Sequence, residues 1–133
     1  MTRFKFRAWD DQQKEWITDC DLYMTATGEV YFGDINNPPI VHVKQEWVSY
    51  STGLKDMYGK EIYEGDVLKI PDFYETPENT NATYHHEQIV FKDGAFCTHN
   101  YPMFEYQQYL SEESEVIGNK YEHPHLLESE DDL

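Results

Sequence analysis

Cysteine is scarce in this sequence: Cys20 and Cys97 are the only two, and they lie far apart. A secreted scaffold stapled by disulfides is therefore excluded. Long apolar runs are missing too. None approaches the roughly 18 residues that a membrane-spanning helix needs. The opening segment, MTRFKFRAWDD, has no apolar core of the secretory-leader kind. The expectation is a cytoplasmic protein with free thiols and no membrane association, in which Asn81-Ala82-Thr83 matches a glycosylation sequon by chance. Positive charge is also thin, with 10 Lys and Arg against 26 Asp and Glu and a net charge of −16. Residues 1–70 hold 8 basic and 12 acidic residues, and residues 71–133 hold 2 and 14. So acidic a surface repels phosphate backbones and argues against a nucleic-acid partner. It favours solubility or a basic partner. Familiar catalytic signatures are absent as well: there is no G-x-S-x-G, P-loop, H-E-x-x-H or dinucleotide glycine pattern.

What the chain does have is enough apolar material to fold. At 133 residues, with 39% hydrophobic and 16% aromatic residues, it suits one domain or two small ones sharing a surface. Eleven tyrosines dominate the aromatics, a residue that suits pleated, half-buried surfaces. The best-defined stretch is Thr52–Ile70. Asp56-Met57-Tyr58-Gly59 reads as a tight turn, with Asp in the position that accepts backbone N–H groups and Gly in the position that tolerates positive φ. Glu64-Gly65 marks a second reversal, and Asp66–Ile70 follows as a strand.

Short hairpins fill most of the remainder. Phe4–Trp9 alternates Phe4, Phe6 and Ala8 with Lys5, Arg7 and Trp9, and Glu15–Thr18 pairs back on it. Leu22–Thr25 and Glu29–Phe32 flank Thr27-Gly28 as a second hairpin; Pro38-Pro39 then breaks the chain before Ile40–Val43. Gln45–Tyr50 reads as a strand leading into the Asp56 turn. Pro71–Tyr84 has no sustained period and reads as a long exposed loop. His86–Phe91 and Ala95–Thr98 flank Asp93-Gly94, a firm hairpin signal. Phe104–Glu113 is the best helix, with an irregular apolar stripe. Glu115–Ile117 is a last short strand ended by Gly118-Asn119, Tyr121–Leu127 a helical turn, and Glu128–Leu133 an acidic tail. Many short strands, frequent turns and little helix predict a mainly β fold.

Several blocks point to a family. Phe6-Arg7-Ala8-Trp9-Asp10, Thr52–Asp56 with Gly59–Val67, Phe91–Phe96, and Glu115–Asn119 with Tyr121-Glu122 and Pro124 resemble the YopX family of phage and prophage proteins, in the same order along nearly the whole chain. The resemblance implies a β-dominated fold with an SH3-like small barrel. Set beside the hairpin and helix pattern, the expected division is a β-hairpin region over residues 1–50, the barrel region over residues 51–127 with one short helix near the C-terminus, and the acidic tail over residues 128–133. The resemblance also implies a phage or prophage origin in a bacterial host. It carries over no activity and no catalytic residues, because the family's molecular function is uncharacterised. At the turn tip, Met57-Tyr58 stands where the family usually has a Lys-Asn pair, and the long acidic Pro71–Tyr84 loop is a second departure.

Candidate chemistry competes with plainer readings. Metal ligation would draw on His85, His86, Cys97, His99, His123 and His125, but no closed-site spacing is present; surface histidines are the simpler account, and no cofactor or metal is expected. The pairs Asp10/Asp11, Glu112/Glu113 and Asp131/Asp132 sit in polar segments, whereas a working general acid needs burial. Asp66, at a strand start beside apolar neighbours, is better explained by turn hydrogen bonding than by catalysis. Tyrosines, including Tyr50, Tyr58, Tyr63, Tyr101 and Tyr121, could line a binding groove or simply pack. The favoured reading is a non-catalytic module that binds a host or phage protein or self-associates, with Met57, Tyr58, Tyr63 and Tyr50 as the contact residues. Two alternatives stay open: an acidic decoy for a host DNA-binding protein, using acids such as Glu112, Glu113, Asp131 and Asp132, and a small hydrolase using Asp66, Glu64 or His86.

Overall fold

The computed structural model describes residues 5–18, 21–72, 83–98 and 101–125. The fold is mainly β, with short antiparallel sheets and one short α-helix, a small β-barrel-like arrangement as the sequence leads one to expect. The chain divides into two compact units, Met1–Tyr50 and Ser51–Leu133. Cys20, the interior of the Pro71–Tyr84 loop, His99, the end of the Tyr121–Leu127 segment, the Glu128–Leu133 tail and the Asp131/Asp132 pair lie outside the described residues.

In the N-terminal unit, β1 (Phe6–Asp10) pairs with β2 (Glu15–Trp16) around a turn held by the Asp10 carboxylate, which accepts the Gln12 and Gln13 N–H groups at 3.0 and 3.1 Å. β3 (Leu22–Met24), β4 (Val30–Phe32) and β5 (Val41–Val43) form a three-stranded meander. Gly28 closes the β3–β4 turn at φ +91°, a conformation that side chains with a Cβ rarely adopt. Ala8, Val30, Val43 and Val48 make the unit's core, with Leu22, Met24, Phe32 and Tyr50 packed on it. Trp9 is buried, because Trp16 across the hairpin packs edge-on against it at 5.1 Å, and the Arg7 guanidinium lies over the Trp16 ring. One expectation needs correction here. Gln45–Trp47 is a 3-10 turn and not a strand, so β6 begins only at Val48 and runs to Lys55. Val48, Ser49 and Tyr50 pair with β1.

The C-terminal unit takes up β6 at Ser51, where it pairs with β7 (Glu61–Tyr63). β8 (Asp66–Pro71) is buried along almost its whole length, because β12 (Glu115–Asn119) and β9 (Tyr84–Gln88) flank it on either edge. The expected loop thus starts later and ends earlier: Pro71 pairs with Tyr84, and Asp72 N–H reaches Thr83 O at 2.9 Å. β10 (Val90–Lys92) and β11 (Ala95–Cys97) form the predicted Asp-Gly hairpin, with Asp93 and Gly94 both at positive φ, +53° and +81°.

The expected helix is two pieces: a 3-10 turn, Met103–Tyr106, and then α1 (Gln107–Glu113). That change of pitch explains the irregular stripe: Met103 and Leu110 are buried in the core, while Tyr106 and Tyr109 pack against it from part-buried positions. Met103 and Leu110 join Ile62, Leu68, Ile70 and Ile89 in one apolar cluster. Gly118 and Asn119 continue β12 past a bulge between Val116 and Gly118 and do not end it. Asn119 then serves as an acceptor for the next turn, taking the Tyr121 and Glu122 N–H groups at 3.0 and 2.8 Å.

The Asp56 turn ties these parts together. Asp56 is 4% exposed, and its carboxylate takes Tyr58 N–H at 3.0 Å and Lys60 N–H at 2.8 Å with Oδ1 and Val116 N–H at 2.9 Å with Oδ2. Met57 N–H donates to Ser114 O at 2.9 Å. Hydrogen bonds to a charged acceptor are worth about 1.5–3 kcal/mol each before cooperativity, and an orphaned buried donor costs about as much. Asp56→Ala should therefore lower unfolding stability by about 3 kcal/mol in urea titration. Asp56→Asn should recover little of it, because an amide NH2 would confront a backbone N–H. Wild-type stability in Asp56→Asn would mean that the carboxylate's charge and second acceptor are dispensable.

Candidate functional site

The turn that buries Asp56 exposes what lies beyond it. Met57 is 44% exposed and Tyr58 71%, while each backbone N–H from Asp56 to Lys60 is tied: Asp56 N–H to Lys60 O at 2.9 Å, Gly59 N–H to Asp56 O at 3.0 Å, and the bonds of Met57, Tyr58 and Lys60 already described. Gly59 stands at φ +78°, the left-handed closing position that the sequence predicts. Lys55 and Lys60, both exposed, flank the pair. The result is an exposed apolar pair on a fixed turn, with a lysine on each side in sequence and Lys55 opposite Glu61 in the register.

The other two expected contact residues have different surroundings. Tyr63 is half-buried on β7 opposite Ser51, and its backbone N–H is held by Asp66 Oδ2 at 2.7 Å. Tyr50 belongs to the N-terminal unit, where it packs on that core and donates its hydroxyl to Gln45 Oε1 at 2.9 Å.

The acids proposed for catalysis serve the backbone. Asp66 is 1% exposed, with its carboxylate on Tyr63 N–H and its carbonyl accepting Ile89 N–H at 2.9 Å. Gly65 between them, at φ +88°, exchanges backbone bonds with Ile89 O and Lys120 N–H, and a Cβ there would come within 3.2 Å of the Lys120 side chain. Glu64 is half-buried; burial raises its carboxyl above the ordinary value, and the Lys120 ammonium pulls it partly back. Glu112 and Glu113 are exposed at the end of α1.

Among the described residues, no three His, Cys, Asp or Glu side chains converge as metal ligands. Cys97 is a buried free thiol. His85 lies between two carboxylates, with Nδ1 2.7 Å from Asp72 Oδ1 and Nε2 3.2 Å from Glu87 Oε2. The Thr83 and His85 side chains beside Asp72 hold its carboxyl below the usual range. This trio sits at the paired ends of β8 and β9, and reading Pro71–Tyr84 as one long exposed loop hid it. His85-His86-Glu87 in an alternating strand was the available signal. The bond from Asp56 to Val116, sixty residues away, had no local signal at all.

The family model for YopX protein matches residues 5–128. The chain belongs to the YopX family. Among solved structures, protein EF1440 from Enterococcus faecalis is similar with a TM-score of 0.60 at 26% identity, covering 96% of this chain and 99% of that one. Protein yopX from Bacillus subtilis has the same fold, with a TM-score of 0.56 at 21% identity over 95% and 98% of the two chains. No curated protein sequence matches. The family match therefore spans most of the chain, and Asp56, Met57 and Tyr58 lie inside the matched span.

The direction of the Glu64 shift fixes a pH dependence. A carboxyl whose folded value lies above its unfolded one stabilises the fold most when protonated. Its contribution is complete below the ordinary value of 4.5 and is lost as pH rises through the raised value. Glu64→Gln should thus gain stability relative to wild type as pH climbs from about 4.5 towards neutrality. Lys120→Met should raise the Glu64 titration midpoint further in carboxyl-detected NMR. A midpoint at or below the ordinary value would remove the burial argument.

Proposed function

We propose that this YopX-family chain is a phage or prophage accessory protein that works in the bacterial cytoplasm by binding another protein, without catalysis of its own. The observation that carries this reading is the Asp56 turn: a buried carboxylate and three backbone donors fix a tip whose two side chains, Met57 and Tyr58, face solvent. A rigid exposed pair loses little conformational freedom on docking, and tyrosine is enriched among residues that dominate binding energy. Asp66, the acid that most invited a catalytic reading, is held on a backbone N–H where it shapes a turn, which supports a binding role over hydrolysis. Lys55 and Lys60 beside the tip add charge that a partner's carboxylates would complement.

The test compares wild type with the Met57→Ser/Tyr58→Ser double variant in affinity capture from host cells, with quantified recovery of each retained protein. A specific partner should be retained by wild type and reduced more than about tenfold by the variant, the scale expected for central contact residues. Equal retention by both proteins would remove the tip from the interface, and turnover of a substrate by the purified chain would overturn the non-catalytic reading. Self-association is the second form of the same reading, and light scattering across concentration separates it from binding a different protein.

A further inference from the structure

No further inference is drawn: the strongest candidate, the exposed apolar patch of Ile35, Ile40 and Val41 where the N-terminal meander passes from β4 to β5, carries none because nothing in the structure shows what covers it.

Discussion

One buried carboxylate governs the C-terminal unit. Asp56 receives donors from its own turn and from Val116, so it closes the β6–β7 turn and fastens the start of β12 in the same act. The adjoining bond from Met57 N–H to Ser114 O, together with the bonds from Ser114 to Leu110 O, carries the constraint onward into the last turn of α1. A buried charge is tolerable only where enough donors replace the water it has lost. Three well-formed N–H bonds meet that demand, and they do so with backbone groups that would otherwise be orphaned at a turn and at a strand entrance. The cost of burying the charge and the cost of leaving those donors unpaired offset one another.

Asp66 repeats the arrangement at the next reversal. Its carboxylate holds Tyr63 N–H, its carbonyl holds Ile89 N–H, and Gly65 between them bonds to Ile89 and Lys120. Asn119 does the same for Tyr121 and Glu122 with a neutral acceptor. Strands of three to six residues bury too little to fix their own register, so side-chain acceptors at the turns supply the missing specification. In a chain with 26 acids, some carboxylates are structural acceptors and the remainder give the surface its charge.

These differences explain what could be read from the sequence. The Asp56–Gly59 and Asp93-Gly94 turns were legible because positive φ and an Asx acceptor leave a signature within four residues. The mainly β class was legible from alternation, and the family from blocks spaced along the chain. What escaped was non-local or depended on neighbours. Trp9 is buried by Trp16 across a hairpin, a fact invisible in a single strand's alternation. Gln45–Trp47 looks like a strand but takes a 3-10 turn, since β propensity yields to tertiary context in so short a segment. Met103–Tyr106 and α1 together mimic one poorly patterned helix, because two pitches cannot share one period. Of the expected contact residues, Met57 and Tyr58 were legible as exposed, being at a turn tip; Tyr50 and Tyr63 were not separable from packing tyrosines, since in half-buried strands both kinds alternate alike.

The same logic bears on where an acidic protein keeps its apolar contacts. Net charge of one sign discourages non-specific association, so an exposed aromatic on such a chain is less of a liability than on a neutral one. Met57 and Tyr58 use that latitude, exposed on a turn immobilised from within. Long-range charge would bring a basic partner toward the chain, but it cannot choose among basic partners. Choice requires short-range features that differ from the general field. An exposed apolar pair held on a fixed turn is such a feature.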